Sequence, residues 1–197
     1  MALLAEGLVE EWLNRSGFFT MRGIKHGRVN RRAAQARRGV NELDLLGIRC
    51  EPGGAVTGWH VEVQGSFRPI GYIAKLTEEI AGGRALTSAK KRTQHEVEVC
   101  ARKWVRAKFT SDDKNRVREK LWPGVRWSHH LVHAVVREPA ELRVFADEGV
   151  KCHPFHEVLT ELLSGGDAGF SGSAGGDLAE IVGYYTGQAA EAKSPNG

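Results

Sequence analysis

Apolar side chains recur at spacings of three and four from Leu4 to Leu13, with Leu4, Leu8 and Trp12 on one stripe and Ala5, Val9 and Leu13 beside it. That period predicts an amphipathic helix over Leu4–Asn14, closed at Ser16-Gly17 because glycine fits the left-handed cap position. The β-prone run Phe18-Phe19-Thr20-Met21 then begins a strand. Between Asn41 and Gln64 the period falls to two: Leu43, Leu45, Val61 and Val63 alternate with Glu42, Asp44, Glu62 and Gln64. Two neighbouring strands are predicted there, joined by a turn at Glu51-Pro52-Gly53-Gly54, with the apolar set facing a core. A short helix follows over Ile73–Glu79. A long basic helix over Ser88–Lys108 carries the stripe Val97, Cys100, Ala101 and Trp104. Another helix starts at Ser111-Asp112-Asp113, an N-cap followed by acids, and ends before Pro123-Gly124. Leu131–Val136 and Leu142–Ala146 read as strands paired antiparallel through Glu138-Pro139-Ala140, and Pro154 opens a helix through Leu163. The sum is an α/β sandwich with a small mixed sheet over 1–163. A Gly/Ser/Ala-rich linker and a short tail or helix occupy 164–197.

Composition leaves that picture in place. With 197 residues, 41% apolar and 26% charged, the chain has enough apolar mass for one domain with a real core. Cys50, Cys100 and Cys152 are few and far apart, which argues against a disulfide scaffold and for a reducing compartment. The first residues lack a basic segment followed by a long apolar run, and no window reaches the roughly 18 apolar residues of a membrane span. A cytoplasmic protein is expected, with no membrane partner.

Charge adds a partner. The net charge is +4, and the basic residues cluster. Arg22, Lys25, Arg28, Arg31, Arg32, Arg37 and Arg38 follow one another without an acid, punctuated by Gly23, Gly27 and Gly39, and read as an exposed loop between the first two strands. Unopposed positive charges repel, and an anionic partner relieves the repulsion. Lys90, Lys91, Arg92, Arg102, Lys103, Arg106 and Lys108 cover much of the predicted helix over Ser88–Lys108, and Lys114, Arg116, Arg118 and Lys120 lie on the helix after it. Together these make a surface suited to a nucleic-acid backbone.

The chemistry concentrates on Asn41–Gln64. Alternation places Glu42 and Asp44 on one face of their strand and Glu62 and Gln64 on one face of theirs, and carboxylates that converge need a cation to neutralise them. Other groupings point less clearly to chemistry. His129, His130 and His133 form HHxxH on a predicted strand, where alternation divides them between faces, so no zinc site is expected. Cys152-His153 and His156 span a predicted loop and helix start without a second cysteine pair.

The run Ala5-Glu6-Gly7-Leu8-Val9-Glu10-Glu11-Trp12-Leu13 to Ser16-Gly17-Phe18 resembles the opening helix of the archaeal Holliday-junction resolvases, members of the PD-(D/E)xK nuclease superfamily. Glu6 matches the helix glutamate of that pattern, Asp44 the acid of the second strand, and Glu62-Val63-Gln64 the Glu/Asp-x-Lys of the third, except at its last position. The resemblance covers residues 4 to 65 by motif and extends to 165 by element order. It implies a restriction endonuclease-like three-layer α/β/α sandwich. It also implies Mg²⁺ or Mn²⁺ on Asp44, Glu62 and the carbonyl of Val63, with Glu6 holding a water or a second ion. By the same resemblance Asp44, Glu62, Gln64 and Glu6 would form the catalytic set of a DNA endonuclease. Nucleases of this kind commonly form homodimers, but no apolar stripe here marks an interface.

Gln64 stands where the family has lysine, and its amide carries no positive charge. Some restriction enzymes of the superfamily have glutamine there. Others draw a lysine from a neighbouring helix, for which Lys75, Lys90 and Lys91 are the candidates. Two functions stay open on the sequence: a metal-dependent endonuclease, and a catalytically silent nuclease-like DNA-binding or scaffold protein. A module whose basic loop meets an acidic protein is a third.

Overall fold

The computed structural model describes residues 2–26, 42–64, 76–84, 92–136 and 139–164. The central feature is a five-stranded sheet in the order β1-β2-β3-β4-β5. Its strands are β1 (Phe19–Lys25), β2 (Glu42–Cys50), β3 (Val56–Gln64), β4 (Arg126–His133) and β5 (Val150–Pro154). The β1–β2 and β2–β3 pairs are antiparallel, whereas β3–β4 and β4–β5 are parallel. The chain is therefore a mixed α/β fold with an open sheet.

Helices cover both faces. α1 (Ala2–Arg15) and α6 (Phe155–Ser164) lie on one side. There Leu8, Val9, Trp12 and Leu13 of α1 and Val158 and Leu162 of α6 bury against Leu45, Val61, Val63 and Val132 of the sheet. α1 ends as its sequence dictates. Gly17 takes φ 82°, and the Phe18 and Gly17 N–H groups donate to the carbonyls of Leu13 and Asn14 in a Schellman arrangement. α2 (Glu78–Ala81), α3 (Gln94–Val105), a π turn (Arg106–Thr110), α4 (Asp112–Leu121) and α5 (Ala140–Asp147) complete the helical elements. On the second face Ala101, Trp104, Val105 and Phe109 cluster with Val144 and Phe145 of α5 and with Leu131 and Val150 of the sheet. No helix among the described residues is long and apolar enough to cross a membrane.

Several elements differ from the sequence expectation, each for a physical reason. Leu142–Ala146 is helical, not a strand: β4 and β5 are parallel, so their connection must cross over, and α5 is that crossover. The strand after it is Val150–Pro154, which takes in Cys152 and His153, and α6 begins at Phe155 rather than Pro154. β4 starts at Arg126 rather than Leu131. α3 begins at Gln94 rather than Ser88, because Thr93 and Glu96 form a capping box. The Thr93 hydroxyl accepts the Glu96 N–H at 3.2 Å and the Glu96 carboxylate accepts the Thr93 N–H at 2.5 Å. Arg22 and Lys25, expected in the basic loop, belong to β1. Arg28, Arg31, Arg32, Arg37, Arg38, Lys75, Lys90, Lys91 and the predicted linker and tail lie outside the described residues.

Candidate catalytic centre

The antiparallel register of β2 and β3 pairs Leu45 with Val61 and Leu46 with His60. Asp44 and Glu62 follow next on the two strands, on the face opposite Leu45 and Val61. Here the Asp44 side chain joins the two strands directly: one of its oxygens accepts the Val63 N–H at 2.9 Å. Val63 thus enters the site through its amide. Gln64 ends β3, where its backbone carbonyl accepts the Ala134 N–H at 3.2 Å.

The cations that contact Glu62 come from two helical segments, and neither is among the lysine candidates expected from sequence. Lys108, in the π turn, donates to Glu62 Oε2 at 2.5 Å. Lys114, in α4, donates to Glu62 Oε1 at 2.7 Å and to the Glu42 carbonyl at 2.9 Å. The two lysines differ in exposure: the Lys114 side chain is fully buried and that of Lys108 is 13% exposed. Burial lowers the pKa of Lys114 despite the adjoining Glu62 carboxylate. Burial also opposes the charged form of Lys108, but the carboxylates of Glu62 and Asp44 outweigh it and its pKa rises.

Behind Glu62 a buried relay fixes its orientation. Nδ1 of His60 lies 2.6 Å from an Arg118 guanidinium nitrogen, and Nε2 lies 3.1 Å from Glu62 Oε1. A guanidinium only donates, so Nδ1 accepts and Nε2 carries the proton given to Glu62. Burial and then the charges of Lys114 and Arg118 hold the His60 pKa well below its usual value, in keeping with that neutral tautomer. Arg118 is anchored in turn by the Asn115 side-chain oxygen.

Asp44 and Glu6 sit in a different environment. Burial, and next the charge of Glu62, raise the Asp44 pKa to about 6. Glu6 on α1 is raised by burial and then by Asp44 and Glu42. The structure therefore brings Glu6, Asp44, Glu42 and Glu62 within electrostatic reach of one another, including the spare acid Glu42. Penalised carboxylates of this kind are what a cation relieves. Mg²⁺ keeps several of its waters and takes one or two protein carboxylates, and Asp44, with its raised pKa, is the carboxylate that would meet it. Among the described residues no three His, Cys, Asp or Glu side chains converge to hold a metal ion.

The histidines of β4 divide between the faces as alternation requires. His130 stacks on Trp59 at 3.8 Å between ring centroids and bonds Ser128 and His153 at 2.8 and 2.9 Å. His129 packs near Phe109 and His60 on the other side.

Lys108 and Lys114 carried a signal in the sequence. Lys108 follows Val97, Ala101 and Trp104 at helical spacing, so it falls on the apolar stripe of its helix, and Lys114 and Arg118 are one turn apart on theirs. A charged residue on a stripe that packs inward must meet an opposite charge there. Comparison of the chain with protein-family models, with curated proteins and with solved structures returns no match.

Proposed function

We propose that this chain is a Mg²⁺-dependent DNA endonuclease of the PD-(D/E)xK type with a restriction endonuclease-like core, in which Lys108 replaces the lysine missing at Gln64. The observation that carries the reading is the Lys108 ammonium on Glu62 Oε2, at the partly open edge of a site that also holds Asp44. Asp44 would be the principal carboxylate for the ion, with Glu62 beside it and Glu6 as a further acid. When bound, the ion supplies Lewis-acid charge at the phosphate and makes water a better nucleophile. The Lys108 ammonium lies on Glu62 Oε2, where it would meet an attacking water or a phosphate oxygen of the substrate. There it stabilises the charge that develops on the pentavalent phosphorus. Lys114, His60 and Arg118 hold Glu62 in place. Arg22 and Lys25 on β1 would contact the DNA backbone along with the basic residues of 28–38 and 90–91. Cys50, Cys100 and Cys152 are free thiols, which supports a cytoplasmic setting.

The test is cleavage of plasmid and branched DNA by the purified chain in Mg²⁺ or Mn²⁺. Asp44→Ala and Glu62→Ala should each abolish cutting and Lys108→Met should slow it by about 10²–10³, with activity normalised to the folded fraction. Undiminished cutting by Asp44→Ala and Glu62→Ala sinks the site assignment. Salt-sensitive DNA binding without any metal-dependent cleavage would favour the silent DNA-binding protein instead.

A further inference from the structure

Glu62 is engaged on both of its oxygens. Oε2 accepts the Lys108 ammonium at 2.5 Å, and Oε1 accepts the Lys114 ammonium at 2.7 Å and the His60 Nε2 proton at 3.1 Å. Asp44 keeps a demand for positive charge, since burial and the Glu62 charge raise its pKa to about 6. Lys108 meets part of that demand. Of the two lysines that act on Asp44, Lys108 opposes the rise more strongly, and Asp44 in turn helps to keep Lys108 protonated. The Lys108 side chain is also partly exposed, whereas that of Lys114 is fully buried. One accessible ammonium therefore touches Glu62 and lies within electrostatic reach of Asp44. It attracts an anion that enters the site and repels a cation that does so, and at the reduced effective dielectric of a protein site both forces exceed their size in water.

We propose that Lys108 makes the ligand-free site a poor one for a divalent ion and so ties entry of the ion to arrival of the substrate phosphate, an inference that rests on the nuclease reading above. Lys108 opposes a divalent charge at Asp44 with a charge of the same sign, which raises the cost of binding the ion alone. A phosphodiester oxygen beside Lys108 supplies negative charge and offsets that cost. Linkage makes the benefit mutual: an oligonucleotide raises the ion affinity by the same factor by which the ion raises the oligonucleotide affinity. A lysine that only held Glu62 in position would act differently. Its loss would loosen the two carboxylates and weaken the binding of ion and phosphate alike. Loss of a charge that selects between them shifts the two affinities in opposite directions.

Calorimetric titration with Ca²⁺, which replaces Mg²⁺ to suppress cutting, measures the ion affinity with and without a short duplex oligonucleotide. Fluorescence anisotropy with the same oligonucleotide, labelled, measures the phosphate side. The chain is compared with Lys108→Met, with Lys108→Gln, with the charge-keeping Lys108→Arg, and with Arg126→Gln. Arg126 is exposed and opposite Thr57, at the far end of the β3–β4 ladder from Glu62, so its loss makes the same change in net charge away from the site. Thermal melts of each variant establish that the fold is kept. In the parent, the oligonucleotide should tighten Ca²⁺ binding by about tenfold or more. Lys108→Met and Lys108→Gln should each bind Ca²⁺ alone about tenfold more tightly than the parent, and the oligonucleotide alone severalfold more weakly. Lys108→Arg should stay within about twofold of the parent in both, as should Arg126→Gln for Ca²⁺. A Lys108→Met chain that binds Ca²⁺ no more tightly than Arg126→Gln does, or that binds both ligands more weakly, overturns this role of Lys108 and leaves the nuclease reading standing. A parent chain that binds Ca²⁺ neither alone nor with the oligonucleotide removes both.

Discussion

Lys108 and Lys114 contact the same carboxylate but should respond to substitution in opposite ways. Lys114→Met removes the donor at 2.7 Å from Glu62 Oε1 and at 2.9 Å from the Glu42 carbonyl, in a place with no exposed side-chain surface. Breaking a buried ion pair from one side costs about 3–5 kcal/mol. The Lys108 ammonium remains on the other oxygen and softens that loss, whereas the stranded Glu42 carbonyl adds to it by about 1–3 kcal/mol. A net loss of about 3–4 kcal/mol follows, and at roughly 2–4 °C per kcal/mol for a chain of this size the melting temperature should fall by about 6–15 °C. Lys108→Met acts at the partly solvated edge, where water replaces the lost donor, and should cost about 1 kcal/mol of stability. Its effect appears in the chemistry, as a loss of about 10²–10³ in kcat, the size seen when one donor to a developing oxyanion is removed. The assays are urea unfolding and plasmid nicking, with nicking normalised to the folded fraction. A Lys114→Met chain as stable as the parent refutes the buried pair. A Lys108→Met chain that loses the larger stability increment yet nicks at the parental rate per folded molecule refutes the division of roles.

Burial, and then the charge of His153, depress the His130 pKa to about 3. The unfolded chain takes up that proton near 6.5, so it binds more protons between the two values, and stability is full above about pH 6.5 and falls as pH drops toward 3. At pH 5 His130 alone should remove ~2 kcal/mol, and urea melts of His130→Phe should show that much less pH dependence. Gly58→Ala should lose about 1–3 kcal/mol by overpacking, because a Cβ there would lie 2.7 Å from Trp127 Cε3 and Val125 Cγ1; a parental melting curve would refute the close packing. Chelation should abolish cutting but shift the melting temperature little, because lysine ammoniums already neutralise Glu62; calorimetry with and without Mg²⁺ separates these effects, and a large stability loss on chelation would mean a metal cage.

Local rules carried the fold a long way. The stripe Leu8, Trp12 and Leu13, the cap at Gly17 and the alternation through Leu43–Val63 are short-range signals, and α1, β2 and β3 follow them. The reading failed where a β-prone composition sat inside a crossover. Val144 and Phe145 favour a strand locally, but the parallel pairing of β4 and β5 is a tertiary fact that requires a helix between them. α3 starts at Gln94, a boundary set by the specific Thr93–Glu96 exchange that helix propensity alone does not single out.

The site divides along the same line. Asp44 and Glu62 were legible because strand alternation and a short connection set their mutual position within 20 residues of chain. Their neutralisation was not, because it depends on where two helical segments dock on the sheet. Alternation alone calls for a divalent cation where the carboxylates converge. At Glu62 the fold supplies ammonium groups instead, from 46 and 52 residues away. The physical consequence is a division of labour among the acids. Glu62 is compensated internally and positioned by Lys108, Lys114 and His60, so it can hold its geometry without an ion. Asp44 and Glu6, whose pKa values are raised by burial and by the neighbouring acids, keep an unmet demand for positive charge. A divalent ion arriving with a phosphate would meet that demand at Asp44, next to a lysine already held by Glu62, and Gln64 need not carry the charge that the family motif places at its position.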